Sequence, residues 1–130
     1  VRLTLFSILA MFILFGCNSD SAEVDDCPIV TEPVIISAVT VKFHDANSQP
    51  LNVCDGIVTI SRDGYHEVFY GSSYSNCESM YSLSGGYDFT SHNVLVEKAG
   101  YEFQEFDNIV PVETKCGYET FELNVFLEEY

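Results

Sequence analysis

The chain has 130 residues, with five Lys or Arg against twenty Asp or Glu, a formal charge of −15, and 47% hydrophobic residues. That length fits one domain, and the apolar content separates it from disordered acidic chains. The charge repels phosphate backbones and anionic headgroups, which argues against nucleic-acid binding and against electrostatic attraction to acidic lipid.

Residues 1–16 contain one charge, Arg2, followed by an apolar run from Leu3 to Gly16. A basic residue and then a short apolar stretch is the layout of a secretory signal peptide. The run is shorter than the ~20 residues a spanning helix needs. It also lacks the regularly spaced polar positions of an amphipathic core helix. The run ends in Leu14-Phe15-Gly16-Cys17, which resembles the lipobox of bacterial lipoproteins. The resemblance implies cleavage before Cys17 and acylation of its thiol and new amine. Several acyl chains, at about 0.8 kcal/mol per buried methylene, make a lasting membrane anchor. Asn18, in place of an Asp after the lipidated Cys, implies by the same resemblance the outer membrane over the inner one.

Residues 17–33 hold five acids and no base, which predicts an extended acidic tether. The folded domain is expected from residue 34 to residue 130. Strand periodicity dominates it. Apolar and polar residues alternate in Val39-Thr40-Val41-Lys42-Phe43-His44, and again from Phe121 to Leu127. Such alternation marks half-buried antiparallel strands. Strands are expected near 35–44, 54–62, 66–71, 79–84, 92–98, 102–112 and 117–127. Asp63-Gly64 predicts a type I′ hairpin turn. Gly85-Gly86 and Ala99-Gly100 predict further breaks, and Pro111 an edge or bulge. Seven short strands with regular turns predict an all-β, seven-stranded antiparallel sandwich.

The order of these segments resembles the carboxypeptidase regulatory-like domain, a transthyretin-like β-sandwich. The resemblance rests on Val39-x-Val41-x-Phe43-x-Asp45, Pro50-Leu51, Cys54-x-x-x-Val58-x-Ile60 and Asp63-Gly64. It continues through Val94-x-Val96-x-x-Ala99-Gly100-Tyr101 and Asn108-Ile109-Val110-Pro111-Val112 to the closing amphipathic strand. Ser48 stands where that family often has a turn Gly, and His92 where it often has Tyr. Five Cys cannot all pair, and lipidation of Cys17 leaves four for two disulfides. If strand direction alternates, Cys54 and Cys77 lie at one end and Cys27 and Cys116 at the other. Cys54–Cys77 with Cys27–Cys116 is therefore preferred over the two other connectivities. Closing the shorter loop is worth roughly 3 kcal/mol in the chain-entropy model, and the longer one somewhat more.

The family's domain is an accessory to zinc carboxypeptidases and carries none of their catalysis. This sequence has no His-x-x-Glu pair, no Gly-x-Ser-x-Gly elbow, no phosphate loop and no spaced calcium loop. A catalytic site, a metal and a cofactor are therefore not expected. Tyr65, Tyr70, Tyr74 and Tyr81 lie close together in the sequence and are the candidate ligand-binding residues. Tyr is enriched at contact surfaces, although cross-strand packing uses it equally. The expectation is a non-catalytic, lipid-anchored envelope module that binds an envelope protein or serves a structural role. The alternative is a carbohydrate-recognising module using residues 65–81. Removing residues 1–16 takes away Arg2 and no acid, leaving a formal −16, so basic or cation-bridged partners are expected.

Overall fold

The computed structural model describes Cys27 and residues 36–130. The signal peptide, Cys17 and nearly all of the expected tether lie outside the described residues. Nine strands run through the described part: β1 Val39–Asp45, β2 Gly56–Arg62, β3 Tyr65–Tyr70, β4 Ser82–Gly85, β5 His92–Lys98, β6 Gln104–Ile109, β7 Val112–Thr114, β8 Gly117–Glu119 and β9 Phe121–Leu127. They form a three-stranded sheet in the order β4-β1-β9, a four-stranded sheet in the order β3-β2-β5-β6, and the small β7-β8 hairpin.

The strand count differs from seven because two expected strands are each divided. Pro111, with no amide hydrogen to donate, separates β6 from β7. Thr120 separates β8 from β9, and its hydroxyl bonds the Ser37 carbonyl at 2.6 Å. The stretch expected as a strand from residue 79 begins instead with a 3-10 turn, Cys77–Ser79, so β4 starts only at Ser82.

The sheets are not wholly antiparallel. β9 pairs with β1 in parallel register, from Val39 opposite Phe121 to Asp45 opposite Leu127. Parallel neighbours need a long crossover, and here nearly the whole domain supplies it. The Asp63-Gly64 turn is also not type I′. Gly64 has φ 76°, but Asp63 is not in the positive-φ region, which is the sign pattern of a type II turn. Ser48 takes a left-handed φ of 64°. Asp45 holds that turn, its carboxylate accepting the Asn47 and Gln49 amides at 2.8 and 2.9 Å.

The two larger sheets turn their inner faces onto one core, an all-β arrangement consistent with a sandwich. Val39, Val41 and Phe43 of β1 meet Leu123, Val125 and Leu127 of β9 and Leu83 of β4. Val58, Ile60, Val94, Val96 and Ile109 come from the other sheet. Alternation creates this directly, since residues two apart share a face. Close packing requires two glycines. A Cβ on Gly71 would stand 1.5 Å from the Val53 carbonyl oxygen, and one on Gly85 2.1 Å from the Phe69 ring.

Candidate functional site

The two ends of the domain present different surfaces. One end holds the β2–β3 turn, the 86–91 connection and the β7–β8 hairpin. The other holds the 45–49 turn, the 71–81 connection and the C-terminal residues. Each end has a disulfide. Cys54 and Cys77 are bonded with their Cα atoms 4.8 Å apart. Cys27 and Cys116 are bonded at a Cα separation of 5.2 Å, across 89 residues of sequence.

The four candidate tyrosines do not form one platform. Tyr65 pairs with Arg62, and Tyr70 with Ile57, at opposite ends of the β2–β3 ladder. Five residues of strand separate them by about 17 Å, and their side chains leave opposite faces of the sheet. Tyr65 lies on the inner face with Glu67 and Phe69, packed against the core. Tyr70, at the end of β3, and Tyr74 and Tyr81, in the β3–β4 connection, are exposed at the Cys54–Cys77 end.

Tyr65 instead belongs to a charged cluster. Its hydroxyl donates to Glu67, and the Arg62 guanidinium lies 5.5 Å from its ring centre. Burial, and next the Glu67 hydrogen bond, push its pKa up to about 12. Arg62 pairs with Asp88. Asp88 accepts the Thr90 hydroxyl at 2.6 Å and the Thr90 amide at 3.0 Å. The hydroxyl bond is the largest cause holding the Asp88 carboxyl below its ordinary value, with Arg62 adding attraction. The His92 side chain is wholly buried beside this pair. Its Nε2 is 3.4 Å from Asp88 Oδ1, yet neither ring nitrogen makes an aligned hydrogen bond. The Tyr65 ring meets its edge at 6.2 Å and 78°.

This cluster is not among the residues that sequence pattern singles out. The signal was parity, because His92 is two residues before Val94 and four before Val96, and so faces the core with them. A buried imidazole in van der Waals contact with an anchored carboxylate stiffens the connection. It presents no attacking atom to solvent.

The outer face of the four-stranded sheet carries a shallow cleft of about 280 Å³. Thr59, Ser61, His66, Asn93, Glu105 and Asp107 line it. Hydrogen-bonding groups converge there from all four strands, with Leu95 as an apolar floor. At the Cys54–Cys77 end a second hollow, of about 320 Å³, is bounded by Asp45, Asn47, Tyr101, Glu128 and Glu129. Burial, then Glu129, raises the Tyr101 pKa.

The three His occupy three places. His44 is on the outer face of the three-stranded sheet, stacked on Phe126 at 5.0 Å, while His66 is on the opposite outer face and His92 is inside. Among the described residues, no group of three or more His, Cys, Asp or Glu is placed to hold a metal ion. Three of the described cations are paired: Lys42 with Glu122, Arg62 with Asp88 and Lys98 with Asp55. The acidic surplus is therefore spread over the remaining surface. No protein-family model matches this chain, and comparison with the curated proteins finds no match.

Proposed function

We propose that this chain is a lipid-anchored, non-catalytic module of the bacterial cell envelope, built on a carboxypeptidase regulatory-like sandwich, whose loops bind or organise envelope partners. The observation that carries the proposal is the cysteine arrangement. Four of the five Cys are joined in two disulfides. Such a frame suits an oxidising compartment outside the cytoplasm. The fifth, Cys17, is the residue that ends the lipobox-like segment. The outer membrane is the proposed address, on Asn18. Replacing Cys17→Ser tests this: the protein should leave the membrane fraction and lose palmitate labelling. Unchanged fractionation and labelling would overturn the anchor.

Partners are proposed to be basic or cation-bridged, because the surface charge stays strongly negative after the ion pairs are formed. Binding should then weaken as salt rises. A glycan-recognising module is the second reading. It is favoured by the exposure of Tyr70, Tyr74 and Tyr81 at one end of the domain, and it does not include Tyr65. Selective binding on a glycan array, lost on changing those three tyrosines to Ala, would support it over a protein partner.

A further inference from the structure

We propose that the end of the domain carrying Tyr87, Phe89 and Tyr118 is an interaction surface for the bilayer to which the chain is tethered, so that the opposite, acid-lined end faces away. The inference rests on the lipid-anchor reading above. It is carried by where the tether leaves the fold.

Cys27 is bonded to Cys116, in the turn between β7 and β8. A chain anchored at Cys17 therefore joins the domain at this hairpin, not at the start of β1. Cys27 is ten positions beyond Cys17, and ten fully extended steps reach at most ~35 Å. That is close to the size of the domain itself, so the hairpin end is held near the membrane while the 45–49 turn and Glu128-Glu129 are held far from it.

Exposed rings occur at both ends, with Tyr70, Tyr74, Tyr81 and Phe103 at the far one, but only those at the near end lie where the tether leaves the fold. Phe89, in the 86–91 connection, stacks on Tyr118 of β8 with ring centres 4.4 Å apart and planes within 6°. The stack leaves Phe89 36% and Tyr118 41% exposed, and Tyr87 beside it 59% exposed. Aromatic rings with an apolar body and a polar tip favour the bilayer interface. Two or three rings bind a membrane weakly. A short tether raises their effective concentration to the millimolar range, where weak contacts are occupied. On the hairpin Glu113 and Glu119 outnumber Lys115 and oppose an anionic surface, so the proposed occupant is a zwitterionic lipid surface.

The chain contains no Trp, which makes single-Trp variants clean probes. Phe89→Trp reports the near end. Phe103→Trp reports the far end, where Phe103 is 61% exposed. Each lipidated protein would be reconstituted in phosphatidylcholine vesicles with brominated acyl chains. Several-fold greater quenching in Phe89→Trp than in Phe103→Trp is expected. Adding Tyr118→Ser to Phe89→Trp should reduce the quenching while the protein still floats with the vesicles. Equal quenching at both positions in floating protein would overturn the orientation, as would quenching only at position 103. Stronger quenching at position 89 that Tyr118→Ser leaves unchanged would remove the aromatic surface from the explanation. Failure of the parent chain to float any better than Cys17→Ser would instead overturn the anchor on which this inference rests.

Discussion

The two disulfides sit at opposite ends and hold different things. Cys54–Cys77 joins two connections that pack on the core. Val53, next to Cys54, is fully buried, its amide bonds the Met80 carbonyl at 3.0 Å, and Cys77 itself packs against the core. Cys27–Cys116 joins the segment ahead of the domain to a hairpin whose residues contribute nothing to the core cluster. The first staple maintains the fold, and the second fixes Cys27 to the hairpin. Loop length alone would rank them the other way, because chain-entropy stabilisation grows with the loop closed. That ranking assumes both anchor points belong to the cooperative unit, and the exposed hairpin is only loosely part of it.

The largest effect should come from the core-stapled end. Gly71→Ala forces a Cβ onto the Val53 carbonyl. It should cost about 3 kcal/mol or more in urea unfolding, and a loss below 1 kcal/mol would mean the connection yields easily. At the other end the buried imidazole is a weakness. Since neither His92 nitrogen is satisfied, His92→Leu should raise stability by about 1 kcal/mol, because removing an unsatisfied buried polar group relieves its desolvation cost. A destabilised variant would show that the ring's contact with Asp88 outweighs that cost. Acid titration probes the same end. The Asp88 carboxyl is depressed in the folded state, so its contribution is present above the ordinary carboxylate range and is lost as pH falls through the lowered value. Asp88→Asn should flatten the acid side of the stability profile, and a profile that keeps its slope would assign the loss to other carboxylates. The smallest effect is expected at the 45–49 turn. Ser48 has φ 64°, so Ser48→Gly should gain a few tenths of a kcal/mol by thermal melting, the relieved strain being partly offset by chain entropy. A lower melting temperature would mean that the Asp45 hydrogen bonds already relieve that strain.

Period-two alternation made the central strands legible. β5 spans the expected 92–98, and β1, β2 and β9 stop within a residue of their expected ends, although β1 and β9 each start four residues later than expected. Direction also followed from alternation along the chain, and the parallel β1–β9 pair is its consequence: first and last long strands point the same way, and the sheet makes them neighbours. Which strands become neighbours is a tertiary matter, decided by how the two faces pack, and local pattern does not contain it. The small breaks were hidden for a different reason. Thr120 is an ordinary strand residue, and its bond to Ser37, 83 positions away, is a long-range contact that local pattern does not show. The candidate site was least legible. Four tyrosines close in sequence are divided by strand parity, while Arg62, Asp88 and His92 come together only through the fold.

Denaturation of two paired variants, side by side, tests the contrast between the ends most directly. Cys54→Ser with Cys77→Ser should lower the unfolding free energy by roughly 3 kcal/mol. Cys27→Ser with Cys116→Ser should lower it by about 1 kcal/mol or less, because the freed hairpin lies outside the cooperative core. An equal loss, or a larger loss in the second pair, would place the hairpin and its staple inside the folding unit and contradict the division of work between the two ends.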